Sequence, residues 1–491
     1  MISDFNHKTI FCHLCYGLLA ALALFAVWYV AFPHYLWYLE SNSFYTTAPD
    51  FLHVQLSMPG DFGEYAGAYL LQFFRYREGG ALIQTLLALF VLLGSGCIVW
   101  TMGHNVRLLW IAYLPLLAFV CGQFRDESLA RSVGWVLAII LLTCFVAILF
   151  GRKKRPMNLR SGRLLASPVM TCLFPSLVLL ACILCLLKGD GNREMEHFCM
   201  LEQAVWSNDW SAVLHEIRPE DARQSSLQQH WALLALSQTG HLGDRMLAYG
   251  TTGADSFLYD TNDELFHEYF NMMFYVGLGN DNAVVHSAFQ AAAQTRHGMS
   301  FRALRTLVET HVRMGNPEIA DKYLTLLEHT SCHADWVERQ RQRLARHCRQ
   351  GTIGVGDTAK AFLRGSRPFV VEMAATIDRY PGNRVVLDYL LCGLLLLKDM
   401  DRFLFVFDKY YTDTRWGGRI PRHYEEALVM LGARRPELLR KYPVTRTCVD
   451  QFHQFCSLLQ GGDEGRCRLQ SRFADSFWYY CYVGSQKGGD R

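Results

Sequence analysis

Charge is what this chain has too little of. Asp, Glu, Lys and Arg make up 19% of its 491 residues, against about 25% in an ordinary soluble protein. The deficit is local: residues 1–187 carry 12 basic and 8 acidic side chains, whereas residues 188–491 carry 36 and 37. Neither part has the basic excess of a nucleic-acid binder, so no nucleic-acid partner is expected. Strand signal is scarce beyond residue 190, which excludes a large sheet. The glycine-rich run Gly351–Gly356 lacks the Lys-Ser/Thr pair and the preceding strand of a phosphate loop, and reads as a connection. No cofactor or metal site is legible.

What fills the first part is apolar sequence. Five segments stand out, at about 9–32, 81–102, 108–123, 132–150 and 164–187. A helix needs roughly 17–25 residues to cross a bilayer. Four segments meet that length, and 108–123, which contains Pro115, is short. The first segment is too long for the core of a signal peptide and is read as retained. No charged residue sits mid-segment, which argues against an ion or proton pathway.

Loop charges orient the segments. The run Gly151–Arg163 holds Arg152, Lys153, Lys154, Arg155, Arg160 and Arg163 and no acidic residue. Together with Lys8 it predicts a cytoplasmic N-terminus, five crossings and a C-terminal part outside. The loop 33–80 then lies outside. Its Tyr35, Trp37, Tyr38, Phe44 and Tyr45 read as an interfacial aromatic belt, and Glu64–Phe74 as an amphipathic helix on the bilayer.

The remaining 300 residues read as paired helices. The turns share one form: Ser207-Asn208-Asp209-Trp210, Thr239-Gly240-His241-Leu242, Gly279-Asn280-Asp281-Asn282, Gly315-Asn316-Pro317-Glu318 and Lys398-Asp399-Met400-Asp401. Their spacings are about 32, 39 and 36 residues and then about 83, close to two repeats, and a period of 34–40 residues with paired helices is the signature of an α-solenoid. Met314–Glu328 looks like the second half of a tetratricopeptide repeat. Val385–Leu397 is too short to span a membrane, contains Asp388, and is expected to be a core helix. Trp206, Trp210 and Trp231 are expected in the core. Most of the 16 cysteines are expected to be free, buried thiols, and the sequence leaves room for one bridge among Cys448, Cys456, Cys467 and Cys481.

Four phrases occur together: Met58–Tyr69 (MPGDFGEYAGAY) with Leu71-Gln72-Phe73-Phe74 and Gly79-Gly80-Ala81-Leu82-Ile83 behind it, Tyr389–Asp401 (YLLCGLLLLKDMD), Ile420–Ala427 (IPRHYEEA) and Asp475–Tyr480 (DSFWYY). The combination resembles a family of multi-pass membrane proteins from Bacteroidota, catalogued as a domain of unknown function, over most of the chain. The resemblance implies a bacterial inner membrane and a periplasmic helical domain, and it supplies no catalytic residue.

Candidate chemistry concentrates in the loop 33–80, with His34, Asp50, His53, Asp61 and Glu64. An acidic first external loop is similar to that of membrane glycosyltransferases using lipid-linked donors, where Asp50, Asp61 or Glu64 would act as base or metal ligand. Cys12-His13-Leu14-Cys15 has CxxC spacing without a second ligand pair, and with Cys182 and Cys185 it reads as small apolar filler. Arg422-His423-Tyr424-Glu425-Glu426 places His423 and Glu426 on one helical face, read as a solvated face.

The expectation is an all-α protein. Residues 1–189 form a bundle of about five transmembrane helices, and residues 190–491 a degenerate, TPR-like periplasmic domain. Its expected partners are the lipid bilayer and an envelope protein or peptide, held by a non-enzymatic scaffold. The rival is the lipid-linked glycosyltransferase.

Overall fold

The computed structural model describes residues 2–48, 51–52, 61–103, 106–150, 168–258, 265–295, 298–330, 332–349, 368–410 and 419–483. Among these the chain is helical throughout, with no strand. The basic run 151–163, Asp50, His53 and the run 351–356 lie outside the described residues. Contacts divide the chain into two units, each discontinuous in sequence. The first joins Met1–Gln203 to Thr295–Val312 and Asn316–Ile353, and the second holds Ala204–Gln294, Arg313–Gly315 and Gly354–Arg491. Residues 192–203 and most of 295–353 therefore pack in the unit that contains the apolar helices.

Three helices of the first unit are long and apolar enough to cross a membrane: Ile10–Ala31, Arg77–Met102 and Ala130–Phe150. Their outward faces are uncovered, with Leu141 and Ile148 70% and 74% exposed, as expected where the solvent is hydrocarbon. The expectation of five spans is corrected to three. The stretch Leu173–Lys188 qualifies only jointly with Asn192–Trp206, across a 49° bend, which would make four. Leu108–Gln123 stays short of a span, because the chain there divides into a 3₁₀ turn, Val106–Ala112, and an α-helix of 11 residues, Tyr113–Gln123.

The chain nevertheless reverses direction at each of these segments. Arg77 donates to the Tyr29 carbonyl and stands 4.2 Å over the Tyr29 ring, so Arg77–Gly103 starts beside the end of the first helix. It runs back until Gly96 faces Ala112. Tyr113–Gln123 then returns: Tyr113 Oη reaches the His13 carbonyl, and Gln123 Nε2 donates to the Gln84 carbonyl at 2.8 Å. Ala130–Phe150 descends again with Thr143 Oγ1 at the Gly94 carbonyl. A side chain on Gly94 would strike Ile139 at 2.3 Å, so only glycine allows this approach. Pro168–Lys188 ascends from Phe174, edge-on to Trp110 at 4.6 Å.

The loop after the first helix folds into the protein core. Tyr35 stacks on Phe124 at 4.2 Å and donates to its carbonyl. Phe44 enters a cluster with Phe301, Leu304, Val308 and Leu324. Tyr45 packs among Phe51, Tyr65 and Tyr69. The interfacial-belt expectation is thereby corrected: these rings have protein partners, and Tyr35, Phe44 and Tyr45 are buried. The amphipathic stretch is a helix, Asp61–Leu71, followed by a 3₁₀ turn, Gln72–Arg75.

The five turns recognised in sequence share one geometry. Asn208, Gly240, Gly279, Gly315 and Lys398 have φ of 59°, 73°, 73°, 73° and 58°. In each case the next amide bonds a carbonyl five residues back: Asp209 to Ala204, His241 to Leu236, Asn280 to Tyr275, Asn316 to His311 and Asp399 to Leu394. This is the Schellman ending, in which a left-handed residue lets the chain satisfy the last helical carbonyls and turn. Pro317 opens the helix after the fourth turn, where its missing amide hydrogen costs nothing.

A second repetition occurs in the C-terminal unit. Asp378 accepts from Lys409 Nζ at 2.6 Å and Tyr410 Oη at 2.7 Å. Asp408, one residue before that Lys-Tyr pair, accepts in turn from Lys441 and Tyr442. The Lys and Tyr donors hold both carboxyls below the usual carboxylate range. Their folded values lie below the unfolded value of about 3.9, so their contribution is complete above about pH 4 and disappears as pH falls through the folded values. The double variant Asp378→Asn/Asp408→Asn is expected to lower Tm slightly at pH 7, because the pairs are exposed, and to converge with the unchanged protein at low pH, which flattens the acid limb of a Tm-against-pH profile. An unchanged acid limb overturns this assignment.

Candidate functional site

Three of the four phrases that mark the sequence meet in one cluster of the C-terminal unit. The helix Arg384–Leu396 starts at Asn383, whose side chain accepts from the Val386 amide. Every residue from Val386 to Leu396 is buried, as expected of a short core helix. Inside it, Asp388 Oδ1 accepts from Tyr424 Oη at 3.1 Å, and Cys392 Sγ lies 3.3 Å from the same hydroxyl. The helix Arg422–Gly432 is held at its start by Asp244, which accepts from the Arg422 amide at 2.8 Å and from Arg419 at 2.7 Å. Gly243 is required here, since a side chain would meet the Tyr424 ring at 2.7 Å.

Glu426 is the hub. Its carboxylate accepts from Arg422 Nε at 2.9 Å and from the Phe477 amide at 2.7 Å, and it lies 3.0 Å from His423 Nδ1. Its carbonyl accepts from Trp478 Nε1 at 2.8 Å. Arg422 also grips Asp475 with both terminal nitrogens, at 2.9 and 3.2 Å. Tyr480 Oη closes the cluster on the carbonyls of Leu396 and Thr252. The expected solvated face is therefore corrected. His423 and Glu426 are buried, because the Asp475–Tyr480 phrase covers them and supplies their partners.

Electrostatics make this cluster a clamp. Burial alone lowers the Arg422 guanidinium, but Asp475 and Glu426 outweigh it and hold it above its ordinary value. Burial raises Asp475, and Arg422 overcomes that, leaving its carboxyl below the usual range. Burial pushes Tyr424 and Cys392 well up, so both stay neutral and neither is an activated nucleophile. His423 has no exposed surface on which to meet a substrate. The arrangement ties three helices together, with His423, Tyr424 and Glu426 buried and Arg422 and Asp475 partly exposed.

A second polar set lies in the first unit. Glu196 caps the helix Pro33–Asn42 by accepting from the amides of His34 and Tyr35 at 3.0 and 2.8 Å. His34 Nδ1 lies 2.6 Å from Gln203. Glu202 and Arg302 form a pair at 2.8 Å with side chains 3% and 1% exposed. Glu40 binds His333 Nε2 at 2.7 Å, Arg75 meets Nδ1 of the same ring, and Phe301 stacks on it at 3.4 Å. None of these partners was legible in sequence, since their separations reach 293 residues between Glu40 and His333.

Of the loop carboxylates singled out in sequence, Asp61 and Glu64 share the first turn of Asp61–Leu71. Asp61 is half-buried and Glu64 only 5% exposed. Their helix is pressed on residues 128–130, where a side chain on Gly67 would strike the Ser128 carbonyl. Asp50 lies outside the described residues. Cys12 and Cys15 are free, and no group of His, Cys, Asp and Glu among the described residues is arranged to hold a metal. Cys448, Cys456, Cys467 and Cys481 are free thiols. Trp231 is in the core, whereas Trp206 and Trp210 are half-buried.

No curated protein and no solved structure matches the chain. One family model does, over residues 8–195 and again over 164–484. These matches take in the apolar helices, the docked loop and the Glu426 clamp alike, and the chain belongs to the family of unknown function DUF6057.

Proposed function

We propose that this protein is a scaffold of the bacterial inner membrane, anchored by its N-terminal helices, whose periplasmic TPR-like repeats bind a protein or peptide of the envelope. The observation that carries the reading is the fivefold recurrence of one helix–turn–helix joint. Stacked helical hairpins present extended surfaces suited to peptides and seldom build enclosed reaction sites. The Glu426 clamp fits that role, because it stiffens the array around the buried His423, Tyr424 and Glu426.

The basic run 151–163 supports the orientation, since a connection so rich in Lys and Arg is cytoplasmic by the positive-inside rule.

The test uses photocrosslinking amino acids in living cells, at exposed positions of the repeats such as Val371 and Phe405. The expected result is one discrete adduct that survives Asp61→Asn/Glu64→Gln. An alkaline phosphatase fused at Arg491 should be active, as it is only outside the cytoplasm. Loss of cellular function in the Asp61→Asn/Glu64→Gln variant at normal expression, or an inactive fusion, overturns the reading.

A further inference from the structure

The helix Ala334–Arg349 of the first unit carries five arginines against two acidic residues. Its apolar side is buried: Trp336 and Val337 join the cluster of Phe301, Leu304 and Leu324, and Leu344 packs against it. Arg341 is used within the protein, binding Asp321 at 3.1 Å and Glu328 at 2.7 Å. Arg339, Arg343 and Arg346 are exposed, and none has an acidic partner among the described residues. Their spacing of i, i+4 and i+7 puts the three on one stripe of the helix. The carboxylate nearest that stripe, Asp335, stands in the first turn, where the helix N-terminus favours it. Glu338, to one side, accepts from Gln342 at 2.9 Å.

The start of this helix is fixed beside the end of a membrane-length span. His333, the residue before Ala334, meets Arg75, and Arg75 stands two residues before the span Arg77–Met102. Glu40, on the helix that follows the first span, holds the other side of the His333 ring at 2.7 Å. Thr47 of the same loop donates its amide to the His329 carbonyl at 3.1 Å. Arg339 lies five residues past Ala334, about 8 Å of helix. The polar layer of a bilayer is roughly 5–8 Å deep, and charges act over about 8–10 Å in physiological salt. The first cation of the stripe is therefore within range of the headgroups. A guanidinium presents paired donors that match phosphate oxygens. An acidic protein would meet the same charges, but beside a span lipid is the neighbour that is always present.

We infer that the stripe of Arg339, Arg343 and Arg346 docks on the headgroups of anionic phospholipids and holds the helix Ala334–Arg349 against the bilayer surface. The inference rests on the membrane anchoring of the scaffold reading and not on what the repeats bind. It gives the first unit a second attachment to the membrane, made by a helix that is itself too polar to enter it.

The experiment places the full chain in nanodiscs of phosphatidylcholine, or of an equal mixture with phosphatidylglycerol, and follows hydrogen exchange of residues 338–346. Phosphatidylglycerol should slow that exchange by about fivefold or more, the effect of one arginine at an anionic surface. The slowing should disappear in about 1 M salt, where charges act over only about 3 Å. Arg339→Gln/Arg343→Gln/Arg346→Gln should abolish it, and the same three changes to Lys should keep most of it. Since the three side chains are exposed, neither variant should shift the urea midpoint. The helix Pro317–Glu328, which lacks the stripe, should exchange alike in both lipids. Equal exchange of residues 338–346 in the two lipids, or slowing that survives the Gln variant, overturns the docking. Slowing by soluble polyglutamate but not by phosphatidylglycerol overturns lipid as the occupant. A chain that does not enter nanodiscs overturns the anchoring, a result distinct from an inserted chain indifferent to phosphatidylglycerol.

Discussion

Arg302→Met is expected to destabilise the first unit by about 3–5 kcal/mol, the usual consequence of leaving one partner of a buried ion pair alone. The Glu202 carboxylate then has no counter-charge at 2.8 Å and no water to replace it. The guanidinium also sits 5.8 Å over the Trp37 ring, so the variant loses a cation–π contact between the 33–48 loop and the helix Phe301–Arg313. The double variant Arg302→Met/Glu202→Leu removes both charges and keeps the volume. It should recover most of the loss, because a buried pair replaced by well-packed apolar groups is often neutral. Pulse proteolysis in urea on the detergent-solubilised full chain, followed by fragment identification, separates the outcomes. A double variant no more stable than Arg302→Met would show that the pair positions the helix rather than merely neutralising a charge.

Glu426→Ala is expected to be comparably severe in the second unit, again about 3–5 kcal/mol. It strips acceptors from the Phe477 amide and Arg422 Nε and leaves His423 without the partner of its Nδ1. Each buried donor left unpaired costs about 1–3 kcal/mol. Glu426→Gln keeps an acceptor for the Phe477 amide and should be milder. Asp475→Asn should be mildest, since Arg422 and Asp475 are 40% and 38% exposed and water replaces much of what is lost. Hydrogen exchange of Phe477–Tyr482 reports this order directly, because that short helix is held by the Glu426 bonds. Protection in Glu426→Ala equal to that in the unchanged protein would sink the clamp.

The two units differ in how much of them could be read from residues. The five turns were legible because the signal is local. A glycine or Asn-Asp pair after an apolar helix supplies the left-handed residue, and the bond it permits spans five positions. Lys398 shows the limit of that rule. It adopts φ 58° although the Cβ penalty is about 1–2 kcal/mol, and its ammonium lies 5.1 Å over the Tyr480 ring, a contact from 82 residues away. The three long spans were legible for the same reason, hydropathy over a contiguous window. Leu108–Gln123 was marked as short by the same window, whereas its partners on the neighbouring helices, Gln84 and His13, lie outside it.

The candidate site was least legible. Arg422, His423 and Glu426 look like a solvated face when the helix is considered alone, and a charged face exposed on one helix has the same sequence as one covered by another. Only the arrival of Phe477 and Trp478 decides between them. The aromatic loop misled for a related reason: Tyr35 and Tyr45 suit a membrane interface and a protein core equally, and Phe124, Tyr65 and Tyr69 settle the matter.

By itself, then, the order of residues determined where helices form, where they turn and which of them are apolar enough for a bilayer. These follow from interactions within about one turn of chain or along one face. Tertiary structure alone decided which carboxylates are buried and what neutralises them. The free energy of a buried charge depends on a partner that the fold brings from 100 residues away for Glu202 and Arg302, and from about 50 for Glu426 and Phe477.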